Sequence, residues 1–165
     1  MAVRAGGRRK RGQNAYLLHR YRKRHFTGDF ENDTIYAGTG LGTFTAGSGS
    51  DSFVFIADNL PNHPTINNCQ VSSKDVVVYD IHTPNEFDLG PTDNAMDPAM
   101  PTLIDPSIFI ANATGDFTSS SQRFAYDTTN GNLFYSATGS NASETTFATF
   151  TNEPSITAGN LRFQF

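Results

Sequence analysis

Large apolar residues recur at every ninth position early in the chain, at Ile35, Phe44 and Phe53, with polar and glycine-rich stretches between them. The nonapeptides Gly28-Asp-Phe-Glu-Asn-Asp-Thr-Ile-Tyr36, Ala37-Gly-Thr-Gly-Leu-Gly-Thr-Phe-Thr45 and Ala46-Gly-Ser-Gly-Ser-Asp-Ser-Phe-Val54 stay in register. Glycine takes the second position at Gly38 and Gly47, and the fourth at Gly40 and Gly49. Such glycines supply the positive φ that a tight loop needs. Each unit therefore reads as a loop followed by a very short strand with its large side chain inward. The run closes on Phe53-Val-Phe-Ile56, fit for a buried strand. A loop-rich stretch with Pro61 and Pro64 follows. Short apolar runs then resume at Asp75-Val-Val-Val-Tyr-Asp-Ile81, Phe147-Ala-Thr-Phe150 and Leu161-Arg-Phe-Gln-Phe165. Asn130-Gly131 between two apolar runs signals a two-residue hairpin turn. The pattern predicts an all-β fold.

The sixth position of the outer two repeats is aspartate, Asp33 and Asp51, while the middle repeat has Gly42. This set resembles the G-G-x-G-x-D-x-U-x repeat of RTX, or hemolysin-type, calcium-binding proteins. The resemblance implies a short parallel β-roll with two nonapeptides per turn. Residues eighteen apart then stack about one strand spacing, ~4.8 Å, from each other. Asp33 and Asp51 are so spaced, and the two loops would hold one calcium ion with backbone carbonyls such as that of Gly49. Calcium suits such a site because it is hard and tolerates irregular oxygen shells. Glu31 stands where the first loop should have its fourth-position glycine, and Asp29 replaces the second. These either strain the turn or, through Glu31, add a ligand. The opposite rim offers Gly42 and no carboxylate, so one site is expected and no array.

Later segments extend the resemblance. Asp51-Ser-Phe-Val-Phe55 is similar to the D-x-F-V-F element that ends RTX repeats. Asp75-Val-Val-Val-Tyr-Asp-Ile81 with Asn85-Glu-Phe-Asp-Leu89 is similar to the segment that often comes next. Arg123-Phe-Ala-Tyr-Asp-Thr-Thr-Asn-Gly-Asn-Leu-Phe-Tyr135 resembles the R-F-x-Y-D-x-x-x-G-x-L-x-Y hairpin of that family. Ile156-Thr-Ala-Gly-Asn-Leu161 is similar to the ending of type I secretion substrates, with Asn160 in place of aspartate. Three regions are expected: a basic arm over residues 1–25, the repeats over 26–56, and a C-terminal β-sandwich-like domain over 57–165 against which the β-roll packs.

Charge separates the arm from the body. Nine of the 12 Lys and Arg residues fall within residues 1–25, and all 16 acidic residues lie at or after Asp29. The arm thus carries +9, and three basic residues against 16 acids leave the remainder at −13. Acidic loops that repel one another until a cation neutralises them couple folding to metal binding. In the arm, Arg8, Arg9, Lys10 and Arg11 form one positive cluster and Arg20, Arg22, Lys23 and Arg24 a second, with Tyr16, Tyr21 and Phe26 interleaved. Such clusters suit an acidic protein or assembly partner and, less well, nucleic acid. A solvated tail is the plain alternative.

The single Cys69 cannot form an internal disulfide. No apolar stretch is long enough for a transmembrane helix, and the arm carries no h-region of a cleavable signal peptide. Zincin, nucleophile-elbow, P-loop and dinucleotide motifs are absent, so a remnant of an RTX hydrolase is disfavoured. The expectation is a non-catalytic calcium-binding protein, extracellular or surface-associated and exported without a cleavable leader. The alternative is a structural or assembly subunit of a larger particle or surface complex, tethered by its basic arm.

Overall fold

A computed structural model describes residues 24–28, 30, 32–37, 42–45, 47–56, 64–67, 69, 75–80 and 102–164. Among them are strands and short 3-10 turns and no α-helix, so the fold is all-β. The first six strands are β1 (Arg24–Thr27), β2 (Thr34–Ala37), β3 (Gly42–Thr45), β4 (Ser52–Ile56), β5 (Thr65–Asn67) and β6 (Val76–Asp80). They alternate between two sheets, β1, β3 and β5 lying side by side in one and β2, β4 and β6 in the other, all parallel. Phe26 pairs with Phe44 and Phe44 with Ile66; across the core, Ile35 pairs with Phe53 and Phe53 with Val77. Ile35, Phe44 and Phe53 are the eighth-position side chains; Phe26 precedes them in the row, and Ile66 and Val77 continue it. A slip of one residue would turn them to solvent, so burial of this row fixes the register. Phe44, Ile66, Ile35, Phe53 and Val77 are all buried.

Six strands follow: β7 (Thr102–Leu103), β8 (Phe109–Asn112), β9 (Phe124–Asp127), β10 (Asn132–Tyr135), β11 (Thr145–Phe150) and β12 (Leu161–Gln164). Strand β11 takes the place beside β5 and β12 the place beside β6, both parallel. The chain thus returns to extend the same two sheets, in the orders β1-β3-β5-β11-β10-β9-β8 and β2-β4-β6-β12-β7. The physical reason is the open edge that β5 and β6 would otherwise leave, a row of unpaired N–H and C=O groups. Strands from before and after residue 56 thus lie in the same two sheets. Arg24 and His25, at the end of the basic stretch, belong to β1.

The hairpin expected at residues 123–135 is present, with Leu133 opposite Tyr126 and Tyr135 opposite Phe124. Its loop is longer than two residues: the Gly131 N–H donates to the Asp127 carbonyl at 2.9 Å. The Asp127 carboxylate accepts the Thr129 and Asn130 N–H groups and the Asn130 amide, at 2.7, 3.1 and 2.8 Å. Burial alone would raise its pKa, but these hydrogen bonds prevail and hold it below the ordinary carboxylate value. An Asn-Gly pair alone cannot signal a turn built by an aspartate three residues upstream.

One core joins the sheets. Phe55 of β4 packs on Phe147 of β11 at 4.7 Å between ring centroids, and Tyr126 meets Phe150 edge-on at 6.2 Å. The Tyr126 hydroxyl is buried with no hydrogen-bond partner among the described residues. Burying a hydroxyl unsatisfied costs free energy, so Tyr126→Phe is expected to leave stability unchanged or raise it by up to about 1 kcal/mol. Urea unfolding checks this, and a clear loss would mean that the hydroxyl is bonded.

Candidate metal centre

The loops that enter β2 and β4 lie one above the other, because Thr34 pairs with Ser52. Their aspartates stack as the spacing predicts. The Asp33 N–H donates to the Asp51 carboxylate at 2.9 Å, and the Ser52 N–H donates to the Asp33 carbonyl at 2.8 Å. Asn32, one residue earlier, accepts the Ser50 N–H on its side-chain oxygen at 2.7 Å. A third carboxylate continues the row. The Asp51 N–H donates to Asp75 at 3.0 Å, and the Val76 N–H to the Asp51 carbonyl at 2.8 Å. Asp33, Asp51 and Asp75 are 6%, 1% and 1% exposed, so this is a buried line of carboxylates along one rim of the second sheet.

Among the described residues the first sheet has no counterpart. The register puts Arg24, Gly42 and Pro64 at the equivalent level, since Arg24 pairs with Gly42 and Thr43 with Thr65. A Cβ at Gly42 would stand 2.6 Å from Cζ of Phe44, so the Phe44 ring fills the space that a carboxylate would need. The middle repeat thus lacks its aspartate for a packing reason.

Glycines shape the acidic rim. At Gly28 a Cβ would meet Asp33 Oδ2 at 2.8 Å and the Gly47 nitrogen at 3.0 Å, so only glycine leaves room for the carboxylate beside both loops. Gly49 holds φ at +138°, a conformation that side-chain-bearing residues rarely adopt. Of the expected ligands, Asp33 and Asp51 meet in the two stacked loops, Gly49 lies two residues before Asp51 in the second of them, and Glu31 lies outside the described residues. The arm cations Arg8, Arg9, Lys10, Arg11, Arg20, Arg22 and Lys23 also lie outside them; Arg24 opens β1. Among the described residues no three Asp, Glu, His or Cys side chains gather around one point. The carboxylates form a row, one per coil.

Side chains from the end of the chain tie into this rim. The Asn160 amide donates to the Asp75 carbonyl at 3.3 Å. The corresponding bonds one and two coils earlier come from the backbone N–H groups of Val76 and Ser52. Asn160 cannot use its own N–H, which donates to the Thr157 carbonyl at 2.9 Å, so its side chain substitutes. Cys69 is clamped by Asn152, which accepts the Cys69 N–H at 3.1 Å and donates to its carbonyl at 2.7 Å. Burial, the Asp75 and Asp51 charges and a hydrogen bond to Asp75 together push the Cys69 thiol far above its ordinary pKa. It therefore stays protonated and unreactive. Burial, then the neighbouring Cys69, Glu153 and Asp127, likewise raises Tyr126.

Sequence reasoning did not assign Asp75 to the row, nor Asn32, Asn152 and Asn160 to its support. A signal for Asp75 exists: an aspartate two residues before the inward apolar side chain, as in Asp33-Thr-Ile35, Asp51-Ser-Phe53 and Asp75-Val-Val77. Among the described residues no helix is long and apolar enough to cross a membrane. Compared with protein-family models, with curated proteins and with solved structures, the chain matches none.

Proposed function

We propose that this chain is a non-catalytic calcium-binding module of the RTX type, a short β-roll that calcium stabilises, working outside the cell or on its surface. The observation that carries the reading is the pairing of Asp33 with Asp51 on successive coils, within one hydrogen bond of each other. The donor set is made of hard oxygens, the class that calcium accepts in roughly six to eight positions. Asp33 and Asp51 would hold the ion, with backbone carbonyls around Gly49 and the carboxylate of Glu31 completing its shell. A bound cation would neutralise the stacked charges and cross-link the two coils. The protein's own part is to hold the loops at one strand spacing, which the buried Ile35 and Phe53 do.

A second reading is favoured by one observation. The Asp51 and Asp75 carboxylates each accept a backbone N–H from the preceding coil, which is a structural task in itself. On that reading the row is architecture, and the chain is an assembly subunit tethered by its basic arm to an acidic partner. Far-UV circular dichroism and thermal unfolding with calcium, magnesium or chelator at matched ionic strength separate the two. A calcium-specific rise in the unfolding midpoint is expected. Identical curves in all three conditions would refute the calcium reading and leave the architectural one.

A further inference from the structure

We infer that Asp75, which belongs to none of the nonapeptides, is the positioning residue of the Asp33–Asp51 centre. The inference rests on the calcium reading above and adds a residue that does its work without touching the ion. Asp51 reaches the centre through its side chain, and its main chain must stay fixed for that carboxylate to be aimed. The Asp75 carboxylate provides the fixing, because it accepts the Asp51 N–H at 3.0 Å while the Asp51 carbonyl accepts the Val76 N–H at 2.8 Å. Asp75 is itself immobilised from two sides. The Asn160 amide bonds its carbonyl at 3.3 Å, and the Val76 N–H next to it is held by the Asp51 carbonyl at 2.8 Å. It is 1% exposed, so water cannot stand in for a lost acceptor without a rearrangement. The relation is that of a carboxylate behind a metal ligand, where removing the outer group lowers metal affinity about 10–100-fold.

Calcium titration calorimetry on the full chain tests this with two variants. Asp75→Ala removes the acceptor and is expected to weaken calcium binding about 10–100-fold. Asp75→Asn keeps an oxygen at the same place and is expected to retain near-native affinity. Rescue by asparagine marks positioning, since a ligand or a purely electrostatic role would lose affinity with the charge. Unfolding midpoints in chelator give the structural cost separately, and a variant that melts lower but binds calcium as the native chain does overturns the inference. An Asp75→Asn variant as weak as Asp75→Ala overturns it as well, and that variant decides the matter if Asp75→Ala does not fold. A native chain that gives no calcium response would instead sink the underlying calcium reading.

Discussion

Gly131→Ala is expected to destabilise the fold by about 3 kcal/mol, the sum of left-handed backbone strain and steric overlap. Gly131 has φ +69°, and a Cβ there would fall onto the backbone carbonyl oxygen of Phe150. That carbonyl cannot give way easily. Phe150 sits at the end of β11, its own N–H donating to the Gly131 carbonyl at 2.8 Å and its strand paired with β5 through Phe150 and Ile66. The loop and the return of the chain to the first sheet therefore share one close approach, which only glycine permits. Urea unfolding measures the loss, with Gly159→Ala as a control. At Gly159 a Cβ would meet only the Thr157 hydroxyl, at 3.3 Å, so a change of less than about 1 kcal/mol is expected there. Equal, small losses at both positions would mean that β10 and β11 are not joined to β5 as described.

Asp51→Ala is the second large effect, with an expected loss of about 2–4 kcal/mol in the absence of calcium. The substitution deletes the acceptor of the Asp33 N–H, which is buried between two coils, and leaves that donor without its partner. Hydrogen bonds to a charged acceptor are worth about 1.5–3 kcal/mol, and orphaning a buried donor adds to the cost. Asp51→Asn keeps an oxygen for the same N–H and is expected to lose clearly less. The contrast between the two variants in chelator, read by denaturant unfolding, isolates the backbone-capping task from the charge. If alanine and asparagine are equally mild, the row of aspartates is not bonded coil to coil.

The repeat was legible because its signals are local and redundant. Ile35, Phe44 and Phe53 recur at one period, and Gly47 and Gly49 punctuate it in the same phase as Asp33 and Asp51. A coil of fixed length converts that period into stacking, so the Asp33–Asp51 contact followed from spacing. Asp75 did not, because the coil before it is longer: Asp51 and Asp75 are 24 residues apart where Asp33 and Asp51 are 18 apart. A period search loses the row at that point, although the aspartate and its inward apolar residue keep their mutual spacing. The return of β11 and β12 was illegible for a different reason. Phe150 pairs with Ile66 and Leu161 with Val77 across most of the C-terminal half. Nothing near those residues encodes which open edge they will cover, and the choice is made by the two edges left at β5 and β6. The same holds for Asn160. As a sequence feature it looked like a worn aspartate in a secretion-type ending, whereas in the fold its amide replaces a backbone donor at Asp75.

Calcium titration calorimetry of the native chain, beside the Asp33→Ala/Asp51→Ala double variant and with magnesium as control, tests the central claim most directly. The account predicts saturable calcium binding in the native chain, little response to magnesium, and loss of the calcium response in the double variant. No heat in the native chain, or an equal response in the double variant, would contradict a calcium centre at the stacked aspartates.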